Sequence, residues 1–104
     1  MSRNYIYLIK VEGKENTLYK IGFTHDLDAR MKLYKTHNPL AQLVEFCRTN
    51  NTEHINAVEA ALKQNLKKRF NRVNGLYEWF ETPIGTELSL EDFPATKHHI
   101  IHRL

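Results

Sequence analysis

The feature that most restricts this fold is a pair of strand-like segments closed by a short turn. Asn4 to Val11 is rich in Tyr and Ile, Leu18 to Thr24 alternates, and Glu12-Gly13-Lys14-Glu15-Asn16 between them supplies turn chemistry. In the second segment Tyr19, Ile21 and Phe23 fall on one side and Leu18, Lys20 and Gly22 on the other. One face of the hairpin is therefore bulky and apolar, while the other is open around Gly22. A register with Tyr7 opposite Lys20 puts Ile6 and Leu8 on the apolar face and stands Tyr7 beside Lys20 on the open one. The pattern permits this register without requiring it.

Asp26 is suited to cap a helix from Leu27 to about Thr36, whose stripe of Leu27, Met31 and Tyr34 would pack on the sheet until Asn38-Pro39 stops it. Arg30 lies beside that stripe. Gln42 to Arg48 reads as a third strand, alternating less cleanly than the first two. Asn50-Asn51-Thr52 precedes an amphipathic helix from Glu53 to about Phe70. At roughly 100° per residue, its Ile55, Val58, Leu62, Leu66 and Phe70 fall within about 120° of arc. Glu59 sits inside that arc, between Leu66 and Phe70, and a carboxylate there needs a partner. Beyond it, Asn71 to Gly75 reads as a loop and Leu76 to Thr82 as a short strand or extended segment. The acidic remainder carries two Pro and ends in Lys97-His98-His99-Ile100-Ile101-His102.

At 104 residues there is room for one domain with a modest core, too small for a fold that wraps a large cofactor. Cys47 is the single cysteine, so no internal disulfide can form. With no basic, apolar leader after Met1, this predicts a reducing, cytoplasmic setting in a bacterial, phage-infected or viral host cell. No apolar run approaches the roughly 20 residues needed to cross a bilayer, which predicts a soluble protein with no membrane contact. Residues 1–77 hold thirteen Lys or Arg against seven Asp or Glu, whereas residues 78–104 hold two against five. The basic body suits a polyanionic partner, although a surplus of this size also occurs on proteins that touch no nucleic acid.

Tyr5-Ile6-Tyr7, followed after the turn by Tyr19-Lys20-Ile21-Gly22, then Arg30, and later Glu59 on a helix, resembles the GIY-YIG nuclease superfamily. The similarity spans residues 4 to about 82. It is nearest to the divergent branch of phage and large-DNA-virus proteins, with a Lys-Ile-Gly second motif and a Glu-Trp-Phe element, here Glu78-Trp79-Phe80. What the resemblance implies is an α+β fold, a small three-stranded antiparallel sheet flanked by helices. Residues 1–82 would form the nuclease domain, and 83–104 an extension packed on it or trailing from it. It further implies a metal-dependent endonuclease or nickase that hydrolyses phosphodiester bonds in DNA with Mg²⁺ or Mn²⁺.

Phosphodiester cleavage needs an activated water, neutralisation of charge on the phosphoryl oxygens, and help for the leaving oxygen. By resemblance, Tyr7 activates the water. A free phenol titrates near pH ~10, so a cation or metal must assist it. Lys20 occupies the place of the family's second tyrosine, and its ammonium could stabilise a Tyr7 phenolate or the phosphate. Tyr19 is the substitute if the alignment slips by one, although it would then face the core. Arg30 offers a planar fork of donors for a phosphate, and Glu59 the single carboxylate that a mostly hydrated metal ion takes from the protein. Tyr5 stands where the first motif usually has glycine. The late supporting asparagine could be Asn71, Asn74 or neither.

Each of these residues also has an ordinary reading. Tyr7 could be a sheet tyrosine, Lys20 a solvated strand lysine, Arg30 a surface helix residue, and Glu59 the i,i+4 partner of Lys63. Lys63, Lys67, Lys68, Arg69 and Arg72 read both as a solvated helix end complementing the dipole and as a phosphate track. Trp79 and Phe80 read as core closure for the long helix ahead of a stacking platform. His98, His99 and His102 make a weak metal set, and His25 and His37 flank the first helix near the proposed site. The rival functions are a nucleic-acid-binding module of the same fold with weak or no catalysis, and a phage or viral protein-interaction domain. A monomer or transient dimer is expected, with a protein partner able to supply specificity.

Overall fold

The computed structural model describes residues 4–49, 60–62, 64–65, 68, 71–72, 79–92 and 100–104. The hairpin forms as expected from its alternation: β1 (Asn4–Glu12) and β2 (Asn16–Thr24) run antiparallel. The turn is tied by the Gly13 N–H donating to the Asn16 carbonyl at 2.9 Å. This closure pairs Glu12 with Thr17 and carries the register down to Tyr7 opposite Gly22, with Lys20 opposite Ile9. The expected pairing of Tyr7 with Lys20 is thus corrected by two residues. A two-residue shift preserves the faces, because side chains alternate with a period of two.

Asp26 caps α1 (Leu27–His37), its carboxylate accepting from the Ala29 N–H at 3.0 Å, and the helix ends where the Asn38 N–H donates to the Tyr34 carbonyl at 2.8 Å. β3 (Gln42–Thr49) then pairs antiparallel with the other side of β1, making β1 a central strand. The register slips between Leu8 and Ile9, leaving Val44 as the extra residue of a bulge. Val44 packs on the core on one side of the sheet, and Glu45 turns to the same side, which explains why this strand's alternation was imperfect.

Three further strands overturn the expected three-stranded sheet flanked by helices. β5 (Phe80–Pro83) pairs with β2, β4 (Asn71–Arg72) pairs with β5, and β6 (His102–Arg103) pairs with β3. The result is a six-stranded antiparallel sheet in the order β4-β5-β2-β1-β3-β6. Among the described residues sheet dominates, with α1, a single 3₁₀ turn at Leu90–Asp92, and helical residues at 60–62, 64–65 and 68. β5 begins within the segment expected to be extended, whereas β4 interrupts the loop expected from Asn71 to Gly75; β4 and β6 have two residues each, too few to show any period, and they are held by backbone pairing at sheet edges.

Both faces of the sheet are covered, so the face expected to be open around Gly22 is not open. On one side Ile6, Leu8, Tyr19, Ile21 and Cys47 pack with Leu62, Phe80, Leu88 and Leu90. On the other, Tyr7, Ile9 and Val11 pack with Met31 of α1 and Ala41. The segment after residue 83 belongs to the first core through Leu88 and Leu90, and Glu45 anchors it. That carboxylate, 3% exposed, accepts from the Leu90 N–H at 2.6 Å, from the Ser89 hydroxyl and from Arg103 Nε at 3.0 Å. Among the described residues no helix is long and apolar enough to cross a membrane.

Candidate active site

Tyr7 lies in the middle of β1 on the face covered by α1, between Gly22 of β2 and Phe46 of β3. Its side chain is 1% exposed. The ring crosses the β2 backbone at Gly22, where an added Cβ would come within 2.5 Å of the ring carbon bearing the hydroxyl. Glycine is required there for space, so Gly22 acts as the seat of Tyr7.

Above that seat the Tyr7 and Tyr34 hydroxyl oxygens are 3.0 Å apart, a hydrogen bond in which either can donate. The two rings meet edge to face at 6.1 Å. Lys20, two residues before Gly22 and on the same face of β2, holds its ammonium 5.0 Å from the centre of the Tyr34 ring. Trp79 also meets the Tyr34 ring edge to face, at 6.3 Å. Two hydrogen-bonded phenols, an ammonium and an indole ring thus meet in one cluster around Tyr34.

Arg30 lies in α1, half-buried, four residues before Tyr34 and hence one helical turn away on the same flank. Tyr7 and Lys20 are therefore joined through Tyr34, with Arg30 next to it along the helix. Tyr19 is not part of this group. It is buried on the opposite face, where its hydroxyl donates to the Thr86 carbonyl at 2.7 Å. Strand alternation separates it from Lys20, so it cannot stand in for that residue. Glu59, Lys63, Lys67, Arg69, Asn74, His98 and His99 lie outside the described residues. Lys68 is helical and exposed, and Asn71 and Arg72 form β4. His25 and His37 are exposed at the two ends of α1, and His102 stacks on Phe46 with ring centres 4.9 Å apart.

The family model of the T5orf172 domain matches residues 4–95. The chain belongs to the T5orf172 domain family. That family is associated with nuclease-like domains. No curated protein and no solved structure matches the chain. In this T5orf172 domain the match takes in the whole hairpin, α1 and β3, and runs on through β5 and the 3₁₀ turn, so it spans every described side chain of the tyrosine-lysine cluster.

Tyr34 is the member of this cluster that the sequence assigns only to an apolar stripe. One signal was available. A tyrosine on a buried stripe needs a partner for its hydroxyl, and Tyr34 is also four residues from Arg30. Cys47, in contrast, is buried in the opposite core, and that burial pushes its thiol up to about 11, which makes it a packing residue and not a nucleophile.

Proposed function

We propose that this T5orf172 domain is a metal-dependent endonuclease or nickase that hydrolyses phosphodiester bonds in DNA, as its resemblance to GIY-YIG nucleases implies. The observation that carries the proposal is the hydroxyl pair of Tyr7 and Tyr34 with the Lys20 ammonium over the Tyr34 ring. In this reading Tyr7 first releases its own phenolic proton to solvent, and the phenolate then takes a proton from the attacking water. Tyr34 holds the Tyr7 oxygen in place and shares the charge that develops, and Lys20 offsets that charge. Arg30 presents its fork of donors to the non-bridging phosphate oxygens.

Among the described residues no three of His, Cys, Asp or Glu gather as a metal cage. As the resemblance implies, Mg²⁺ or Mn²⁺ would keep most of its waters and take a single carboxylate, that of Glu59, which lies outside the described residues. When bound, the ion supplies charge stabilisation at the phosphate and the leaving oxygen. Lys63, Lys67, Lys68, Arg69 and Arg72 supply a track of positive charge for the flanking backbone.

Supercoiled plasmid incubated with Mg²⁺ or Mn²⁺ tests the proposal. The wild type should convert it to nicked or linear form, and Lys20→Ala and Arg30→Ala should each slow conversion by roughly 100-fold or more. Salt-dependent DNA binding with no conversion in either metal identifies a binding module instead, and neither binding nor conversion identifies an interaction domain.

A further inference from the structure

Beside the tyrosine cluster a cleft of about 390 Å³ opens between the sheet and the start of α1. Its floor is aromatic and cationic, made by Tyr5, Phe46 and Arg48, and its opposite wall carries His25, Leu27 and Asp28. We propose that this cleft takes one unpaired nucleobase of the substrate strand, one that bears an exocyclic amino group, next to the bond that is cut. The proposal rests on the nuclease reading for the position of the cut.

Four observations support it. Phe46 is the direct cross-strand partner of Tyr7, so the cleft floor is continuous with the candidate catalytic row. Tyr5 and Phe46 meet edge to face at 6.0 Å, and both are only half-buried, which leaves ring surface towards the cleft. His102 from β6 stacks on Phe46 at an interplanar angle of 19° and extends the aromatic row towards the sheet edge. Finally, the Arg48 guanidinium lies 5.7 Å from the Tyr5 ring centre, where it can meet the phosphate of the same nucleotide.

The occupant follows from chemistry. A base inside a duplex has both faces covered by its neighbours, so an aromatic floor can stack only a base that is unpaired or turned out. The carboxylate of Asp28 disfavours a phosphate at that wall and instead accepts from an exocyclic amino group, as acidic side chains do from cytosine. Thymine has no such donor.

The test uses single-stranded oligonucleotides in EDTA, where no cleavage consumes them, with 2-aminopurine as the stacking reporter. Binding should quench the reporter, and Tyr5→Leu should weaken binding roughly tenfold while Tyr5→Phe retains it. Arg48→Ala should reduce the salt slope by about 1. Oligo(dC) should bind more tightly than oligo(dT), a difference that Asp28→Asn should shrink. Thermal melts of each variant separate a lost contact from a lost fold. Equal binding of intact and abasic strands, or of duplex and single strand, overturns the proposal. So does a free nucleoside monophosphate that binds as tightly as the strand, because the base would then need no strand. Plasmid cutting without base-dependent binding removes the cleft alone, whereas base-dependent binding without cutting keeps the cleft and removes the catalytic reading.

Discussion

Replacing Gly22 with Ala probes the contact on which the candidate site is built. On backbone grounds the change should help, because Ala is favoured over Gly inside a strand by about 0.5–1 kcal/mol. Gly22 has no need of a left-handed backbone, which among the described glycines belongs to Gly85. The obstacle is the Tyr7 ring, whose hydroxyl-bearing carbon would lie 2.5 Å from the new Cβ, well inside the roughly 3.5 Å that two carbons require. The ring is buried beneath α1, so relief requires moving a packed side chain, which costs about 1–3 kcal/mol. Moving it also breaks the 3.0 Å bond to Tyr34, worth about 1 kcal/mol. The net expectation is a loss of about 1–3.5 kcal/mol, and for a chain of this size a fall in Tm on the order of 10 °C. Thermal and urea melts of a double-mutant cycle measure it: in a Tyr7→Ala background the same Gly22→Ala change should be neutral or stabilising. A Gly22→Ala protein as stable as wild type would mean that the Tyr7 ring does not block this position. An equal loss in both backgrounds would mean the same.

Other outcomes follow from the same geometry. Tyr34→Phe keeps the ring beneath Lys20 but removes the hydroxyl partner of Tyr7, so the urea midpoint should fall by an amount equivalent to about 1 kcal/mol with the slope unchanged. Glu45→Ala removes the acceptor shared by Ser89, Leu90 and Arg103 and should cost about 2–4 kcal/mol in the same assay. Arg103→Ala, at an exposed side chain, should cost much less. Cys47 has its thiol raised from 9.0 to about 11 by burial, so the folded state holds its proton where the unfolded state has lost it. Its contribution is full below pH 9 and declines as pH rises from 9 through 11, a slope that Cys47→Ala should abolish in pH-dependent melts. A thiol reagent at pH 8 should react with Cys47 only after denaturant is added.

The legible parts of this fold were those with a period. The alternation around Tyr19, Ile21 and Phe23 marked β2, and the Asp26 cap with Leu27, Met31 and Tyr34 marked α1; both elements lie within two residues of their expected ends. Register was less legible, because it depends on how the Gly13 to Asn16 turn closes, and hydrophobic alternation is equally satisfied two residues away. The two-residue strands at Asn71–Arg72 and His102–Arg103 carry no pattern, since their order comes from pairing with strands distant in sequence. For the site, the side-chain period placed Tyr7 and Lys20 on one face and Tyr19 on the other. Tyr34 stayed hidden because a tyrosine on a helix stripe packs like a hydrophobe, and its hydroxyl contact spans 27 residues. The Glu45 anchor was equally hidden, because the β3 bulge that turns it inward has no signature in the residues themselves.

The Tyr7 oxygen carries most of the proposed chemistry, and a single atom deletion addresses it. In Tyr7→Phe the ring still fills the seat over Gly22, so the protein should fold, and the measurement is its rate of plasmid nicking in Mg²⁺ beside wild type and Glu59→Ala. The wild type should nick, and both variants should be slower by at least about 100-fold while still binding DNA. A cleanly purified Tyr7→Phe protein that nicks at the wild-type rate would contradict that role for the Tyr7 oxygen.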